Sequence, residues 1–153
     1  MKLASDVIER LRGKTLATAE SITGGGIGAA LTAVPGASEV FKGAIISYTD
    51  DIKEKLLHVP REYLENFGAV SGPIAETMAL GARCMVGADI AVSVTGLAGP
   101  GGDAFGNPVG RVYIGYADEQ RFLHREFTFY GDREAVRAQT IRAALELILE
   151  LNP

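Results

Sequence analysis

Among its 153 residues the chain has a single cysteine and only two histidines. The lone thiol, Cys84, cannot form an internal disulfide and suits a reducing cytoplasm, which is the expected location. It lies in the apolar segment 73–86, where a buried, inert thiol is expected. His58 and His124 stand far apart with no acidic or thiol companions at ligand spacing, so neither metal nor cofactor is expected. No apolar run approaches the length of about 20 residues that spans a bilayer, so no membrane partner is expected. The opening MKLASDVIERLRGK reads as an amphipathic helix with charge of both signs, not as a signal peptide. Basic tracts are missing too. With acids and bases interspersed and a net charge of −4, nucleic acid is disfavoured as the main ligand.

What is present suits one domain over residues 1–153, long enough to bury roughly 68–70% of the unfolded surface. Helix-like and strand-like segments alternate. Helices are expected over 3–11, 25–34, 51–57, 72–86 and 133–151, with a further short one between Pro60 and Gly68. Asp51 and Glu54 stand at capping-box spacing, and Gly87 is placed for a left-handed cap. Strands are expected over 15–20, 41–48, 89–95, 111–117 and 122–129, the last two forming a hairpin through residues 118–121. The near-continuous apolar run DIAVSVT fits a strand covered on both faces. This order predicts an α/β fold: a single three-layer α/β/α sandwich with a mixed, mostly parallel sheet of about five strands.

Sites in such sheets form beyond the carboxyl ends of the parallel strands. Three ends carry unusual polar content: Glu20-Ser21-Ile22-Thr23, Tyr48 to Lys53, and Thr95 with its loop GLAGPGGDAFGNPVG. Ser21 precedes a glycine-led helix start whose free N–H groups, from Thr23 to Gly25, could hold an oxyanion. The plain alternative makes Ser21 and Thr23 helix caps and the glycines packing residues. Lys53, in the first turn of a helix, is the candidate base for Ser21, directly or through the Tyr48 hydroxyl. The helix dipole disfavours its charge while Asp50 and Asp51 favour it, and a solvated lysine paired with an aspartate is the alternative. Lys55 is a neighbouring candidate. Arg133 and Arg137 share one face at the positive end of a helix, which suits a bound phosphate, or pairing with Asp132 or Glu134. Residues 24–29 also fit G-x-G-x-x-A, with Asp50 in the place of a ribose-binding acid. Residues 20–23, however, intervene where a dinucleotide fold needs an immediate turn.

Six segments in order give a more specific signal: TAESITGG (18–25), PGAS-VFKG-IISY (35–48), GAVSGPIAETMA (68–79), SVTGLAGPGG (93–102), PVGRVYIG (108–115) and GDREAVR (131–137). With these the chain resembles the C-terminal domain of the competence/damage-inducible CinA family, the stand-alone nicotinamide-nucleotide amidases. The resemblance implies hydrolysis of nicotinamide mononucleotide to nicotinate mononucleotide and ammonia without a metal. It also implies Ser21 as nucleophile, Tyr48 and Lys53 as its activating partners and Thr95 as a further site hydroxyl. Glu20, Thr23, Gly24, Gly25, Gly96, Gly99, Arg133 and Arg137 are the expected substrate contacts. Many relatives carry an extra N-terminal domain, which a chain opening at this first helix is expected to lack. A symmetric homodimer is the expected assembly. Two departures stand out. Ile22 occupies a position that is often Cys in relatives, and Asp103 to Asn107 differ from the family's usual loop.

Overall fold

The computed structural model describes residues 2–153. Its elements are α1 (Lys2–Arg10), β1 (Leu16–Glu20), α2 (Gly26–Thr32), a 3-10 turn (Ala37–Glu39), β2 (Phe41–Ile46), α3 (Asp50–Leu57), α4 (Arg61–Phe67), α5 (Gly72–Val86), β3 (Ile90–Gly96), β4 (Arg111–Ala117), β5 (Phe122–Thr128) and α6 (Arg133–Leu151). The sheet order is β2-β1-β3-β4-β5. Strand β1 pairs in parallel with β2 and β3, and β4 is antiparallel to both β3 and β5. Only β4 therefore runs against the rest. Glu20 stands opposite Ile46 on one side and Val94 on the other, so the loops leaving β1, β2 and β3 emerge along one edge. Among the described residues no helix is long and apolar enough to cross a membrane.

Strand alternation sorts side chains into two cores. Leu16, Ile90, Val92, Val94, Val112 and Ile114 pack with residues of α1, α2 and α6. On the other face Ala17, Ala19 and Ala91 meet Ile74, Met78 and Ala82 of α5. Those small side chains let α5 lie close to the sheet, where it touches all five strands. Contact is closest at Gly115. A Cβ there would collide with the Ala75 carbonyl oxygen and Ser93 Oγ, and the Ser93 hydroxyl itself donates to Ala75 O.

Two local expectations are corrected. The cap of α3 is Thr49, whose hydroxyl accepts from Ile52 N at 3.4 Å, so the helix begins one residue early and the Asp51/Glu54 capping box does not form. The Glu54 carboxylate instead accepts from Arg61. Cys84 is exposed, not buried. Helix α5 buries the stripe through Ile74, Ala75, Met78, Ala79 and Ala82, and Cys84 falls outside it with the exposed Leu80 and Met85. Apolar residues thus occupy both faces of this helix, and composition alone does not show which is inside.

Gly115→Ala is expected to cost about 2 kcal/mol or more, because backbone and not a flexible side chain blocks the added methyl. Urea unfolding should show a lowered midpoint at unchanged m-value.

Candidate active site

Ser21 is the first residue past β1, and its N–H extends the sheet by donating to Val94 O at 3.1 Å. The chain then turns sharply: Gly24 N returns to Ser21 O at 3.1 Å, with Gly24 at φ +59° and Gly25 at φ +103°. These left-handed conformations explain the glycines without reference to a ligand. The Gly24 N–H, expected to face an oxyanion, is spent within this turn. The N–H groups of Ile22 and Thr23 have no acceptor among the described residues.

Glu20 is fully buried. One carboxylate oxygen accepts from Thr23 Oγ1 at 2.7 Å and Ile27 N at 2.9 Å. The other accepts from Thr18 Oγ1 at 2.9 Å and Gly28 N at 3.0 Å. The protein's own carboxylate thus fills the start of α2, the place where a dinucleotide fold would seat a pyrophosphate. This removes the basis of the G-x-G-x-x-A reading and corrects the placement of Glu20 among substrate contacts. Thr23, Gly24 and Gly25 likewise belong to the turn and do not line the cleft beside Ser21. Arg137 is a second brace. Its Nε and Nη2 donate to Ile22 O (3.1 Å) and Thr23 O (3.0 Å), tying α6 to the Ser21 turn in place of the expected phosphate.

Lys53 is only 1% exposed. Its Nζ lies 3.2 Å from Ser21 Oγ, 3.0 Å from Ser47 O and 3.3 Å from Tyr48 O. Burial holds its pKa below the ordinary lysine value, and the Asp50 charge pulls it partly back. Desolvation is the larger of these two opposing causes. A neutral amine has two hydrogens and one lone pair. With two carbonyls as acceptors, that lone pair is left for the Ser21 hydroxyl. Lys55 is excluded from this role, since its ammonium is exposed and sits 3.7 Å from Asp51.

A cavity of about 320 Å³ opens beside this pair, lined also by Asp50, Ala69, Val70, Thr95, the stretch from Gly96 to Gly99 and Gly101. The volume lies at the small end of the range for small-molecule sites, roughly 300–1,000 Å³. Thr95 is buried and donates to Ala69 O at 2.8 Å. Tyr48 and Arg133 stand at the rim, where Arg133 Nη1 donates to Gly99 O (2.8 Å) and Nη2 to the Tyr48 hydroxyl (3.0 Å). The Tyr48 phenol is thus 60% exposed and held by Arg133, and only its backbone carbonyl meets Lys53. Neither histidine lines the cavity: His124 Nδ1 is 2.6 Å from Glu76 Oε2, and His58 ends α3. A second hollow, near Gly13, Asp89 and Asp118, lies at the opposite end of the sheet and holds no serine or cysteine.

Comparison with known proteins assigns the chain to a family. The model of the CinA C-terminal domain matches residues 1–152. The chain belongs to the CinA C-terminal domain family. It is 48% identical to a CinA-like protein of Synechococcus sp. (strain RCC307) over 151 residues, which is 95% of this chain and 36% of that one. A putative competence-damage inducible protein of Desulforamulus reducens is 45% identical over 88% of this chain and 33% of its own length. The chain thus spans about a third of the length of these curated relatives. Among solved structures, the competence/damage inducible protein CihA of Agrobacterium tumefaciens matches with TM-score 0.94 at 41% identity, covering 99% of this chain and 94% of that one. The CinA superfamily protein of Escherichia coli matches with TM-score 0.95 at 35% identity, covering 97% and 88%.

Sequence reasoning about this CinA-family site missed the wall residues Ala69 and Val70, which reach the cleft only because α4 and α5 fold over the sheet edge. It also weighed Asp50 only as a perturber of Lys53 or a ribose-binding acid, not as a lining residue. Its position just before Lys53 was the available signal.

Glu20→Ala is expected to lower stability by at least about 3 kcal/mol, since four buried donors lose their acceptor together. Denaturant unfolding of the purified variant measures this.

Proposed function

We propose that this protein is a serine amidase that hydrolyses the carboxamide of nicotinamide mononucleotide to nicotinate mononucleotide and ammonia. The observation that carries the reading is the 3.2 Å approach of a buried, charge-disfavoured Lys53 Nζ to Ser21 Oγ. In this mechanism Lys53 takes the Ser21 proton as Oγ attacks the carboxamide carbon, and the N–H of Ile22, which lines the cleft, receives the developing oxyanion. Lys53 then returns the proton to the departing nitrogen and ammonia leaves. Water, deprotonated by the same amine, cleaves the acyl-enzyme and regenerates the Ser21 hydroxyl. The route from Ser21 to Lys53 is direct. Tyr48 acts at the rim, where its phenol orients Arg133 toward the substrate phosphate at the positive end of α6. Thr95 and the loop from Gly96 to Gly99 form the wall against the ring and ribose. The scheme calls for no metal or cofactor.

A binding module on the same fold is the rival reading, and product formation separates the two. Ser21→Ala and Lys53→Ala are each expected to lower ammonia release by at least about a hundredfold while the protein stays folded. Near-normal release by purified Ser21→Ala protein would sink the nucleophile assignment. Lys53→Arg should be as inactive as Lys53→Ala, because a guanidinium does not give up its proton.

The active form holds Lys53 neutral. Its folded pKa lies below 10.5, so kcat/KM should rise with pH along a limb whose midpoint falls below 10.5. A pH profile of ammonia release checks this, and an activity that falls as pH rises through that range contradicts it.

A further inference from the structure

Among the described residues, Ser47 Oγ is the one buried side-chain nitrogen or oxygen without a hydrogen-bond partner. The residue is fully buried, and a hydroxyl left unpaired there costs folding energy. Its backbone does not explain the serine. Ser47 N donates to Glu20 O at 2.9 Å and Ser47 O accepts from Lys53 Nζ at 3.0 Å, bonds that an alanine would make equally. What remains to be accounted for is the hydroxyl. Ser47 continues the alternation of β2 two residues past Ile45, so it faces the α5 side of the sheet. Ser21, two residues past Ala19 on the adjacent strand, faces the same side. Lys53 Nζ lies between these strand ends, 3.2 Å from Ser21 Oγ and 3.0 Å from Ser47 O. Two serines therefore meet one amine, the first through its hydroxyl and the second, at rest, through its carbonyl.

Acylation removes the first of these contacts. Once Ser21 Oγ carries the acyl group it has no hydrogen to give the amine, and an ester oxygen accepts poorly from an ammonium. Lys53 keeps the carbonyls of Ser47 and Tyr48 but loses its third partner, just before it must take a proton from water. We propose that Ser47 is a positioning residue whose hydroxyl becomes that third partner while Ser21 is acylated. A hydroxyl donates to an amine and accepts from an ammonium, so it holds Nζ in either state. Rotation about the Ser47 Cα–Cβ bond turns Oγ toward the amine that its own carbonyl already holds. Water entering the cleft then displaces it from the lone pair. The inference rests on the amidase reading and assigns a residue to its second half, the cleavage of the acyl-enzyme. Ser47 touches no reacting atom in this role and acts through Lys53.

The test follows ammonia release and protein mass together after rapid mixing with nicotinamide mononucleotide. Ammonia reads the first half-reaction, and decay of the acylated protein mass reads the second. In Ser47→Ala the acyl-enzyme should persist at least about tenfold longer than in the parent, the scale of one hydrogen bond to a charged group. KM should fall in proportion to kcat, leaving kcat/KM within about twofold, because acylation does not use the Ser47 hydroxyl. Ser47→Thr, which keeps a hydroxyl, should restore the parent lifetime. The urea midpoint of Ser47→Ala should equal or exceed the parent's, since an unpaired buried group is removed. An unchanged acyl-enzyme lifetime in Ser47→Ala overturns the inference, as does equal slowing of both half-reactions. A lowered urea midpoint also overturns it, because the hydroxyl would then have a partner at rest. If Ser47→Ala fails to fold, the lifetime is read in Ser47→Gly. A parent protein that releases no ammonia ends the amidase reading and this inference with it. Ammonia release by the parent, with Ser47→Ala behaving identically, ends this inference alone.

Discussion

A carboxylate buried without a cation organises this end of the molecule. Glu20 closes β1, and its two oxygens collect two hydroxyls and the first free N–H groups of α2. Helix starts attract anions because their leading N–H groups have no internal partners. Here the anion is part of the chain, so α2 is fixed to the strand that precedes it. The intervening turn has little freedom left. Arg137 removes more by gripping the carbonyls of Ile22 and Thr23 from α6. Ser21 is therefore presented from a loop pinned at both ends, the rigidity that its proposed role as nucleophile requires.

The same economy shapes the opposite wall. Because alanine, serine and glycine face α5, that helix lies close enough for the connection before it to reach the cleft at Ala69 and Val70. The loop after β3 is then fastened to that connection. Asn107 Nδ2 donates to Val70 O at 2.9 Å and to Asp103 at 2.9 Å, and the Phe105 ring covers Gly68. Burial pushes the Asp103 carboxyl up, but hydrogen bonds from Asn107 and Phe105 outweigh it and hold the group below the usual carboxylate range. The stretch Asp103 to Asn107, where the sequence departs from the family pattern, thus braces the wall from behind. Gly99 and Gly101, nearer the strand, face the ligand space.

Much of this was legible in the sequence, and the parts that were not share a cause. Helices α5 and α6 could be bounded to the residue, because Gly87 and Asp132 are local signals that act on their own neighbours. The convergence of three loops followed from strand direction, and strand direction followed from the spacing of helices between strands. Ser21 and Lys53 could be singled out for the same reason. Other features depend on distant partners. Arg137 meets Ile22 across 115 positions, and no pattern around either residue announces it. Glu20 could be marked as polar and strand-terminal, but its acceptor role depends on α2 folding back over it. Cys84 shows the limit of composition, since an apolar segment does not say which of its faces is covered.

The physical case for the base role proposed for Lys53 follows from counting acceptors. An ammonium has three donors and no lone pair. If the fold met Nζ with three fixed acceptors, or with a carboxylate in contact, the protonated form would be satisfied and the amine would be useless as a base. Two main-chain carbonyls, from Ser47 and Tyr48, are supplied, and the third direction is given to a hydroxyl. A hydroxyl can accept from an ammonium or donate to an amine, so this third contact survives proton transfer in either direction. Burial shifts the balance toward the amine by holding the pKa below the ordinary lysine value, against the pull of Asp50. The carbonyls come from just past the end of β2 and Lys53 from the helix that follows, so a single strand-to-helix turn builds the surroundings of the proposed base. Ser21 arrives from the adjacent strand, where Ser47 N donates to Glu20 O at 2.9 Å and locks the two turns in register.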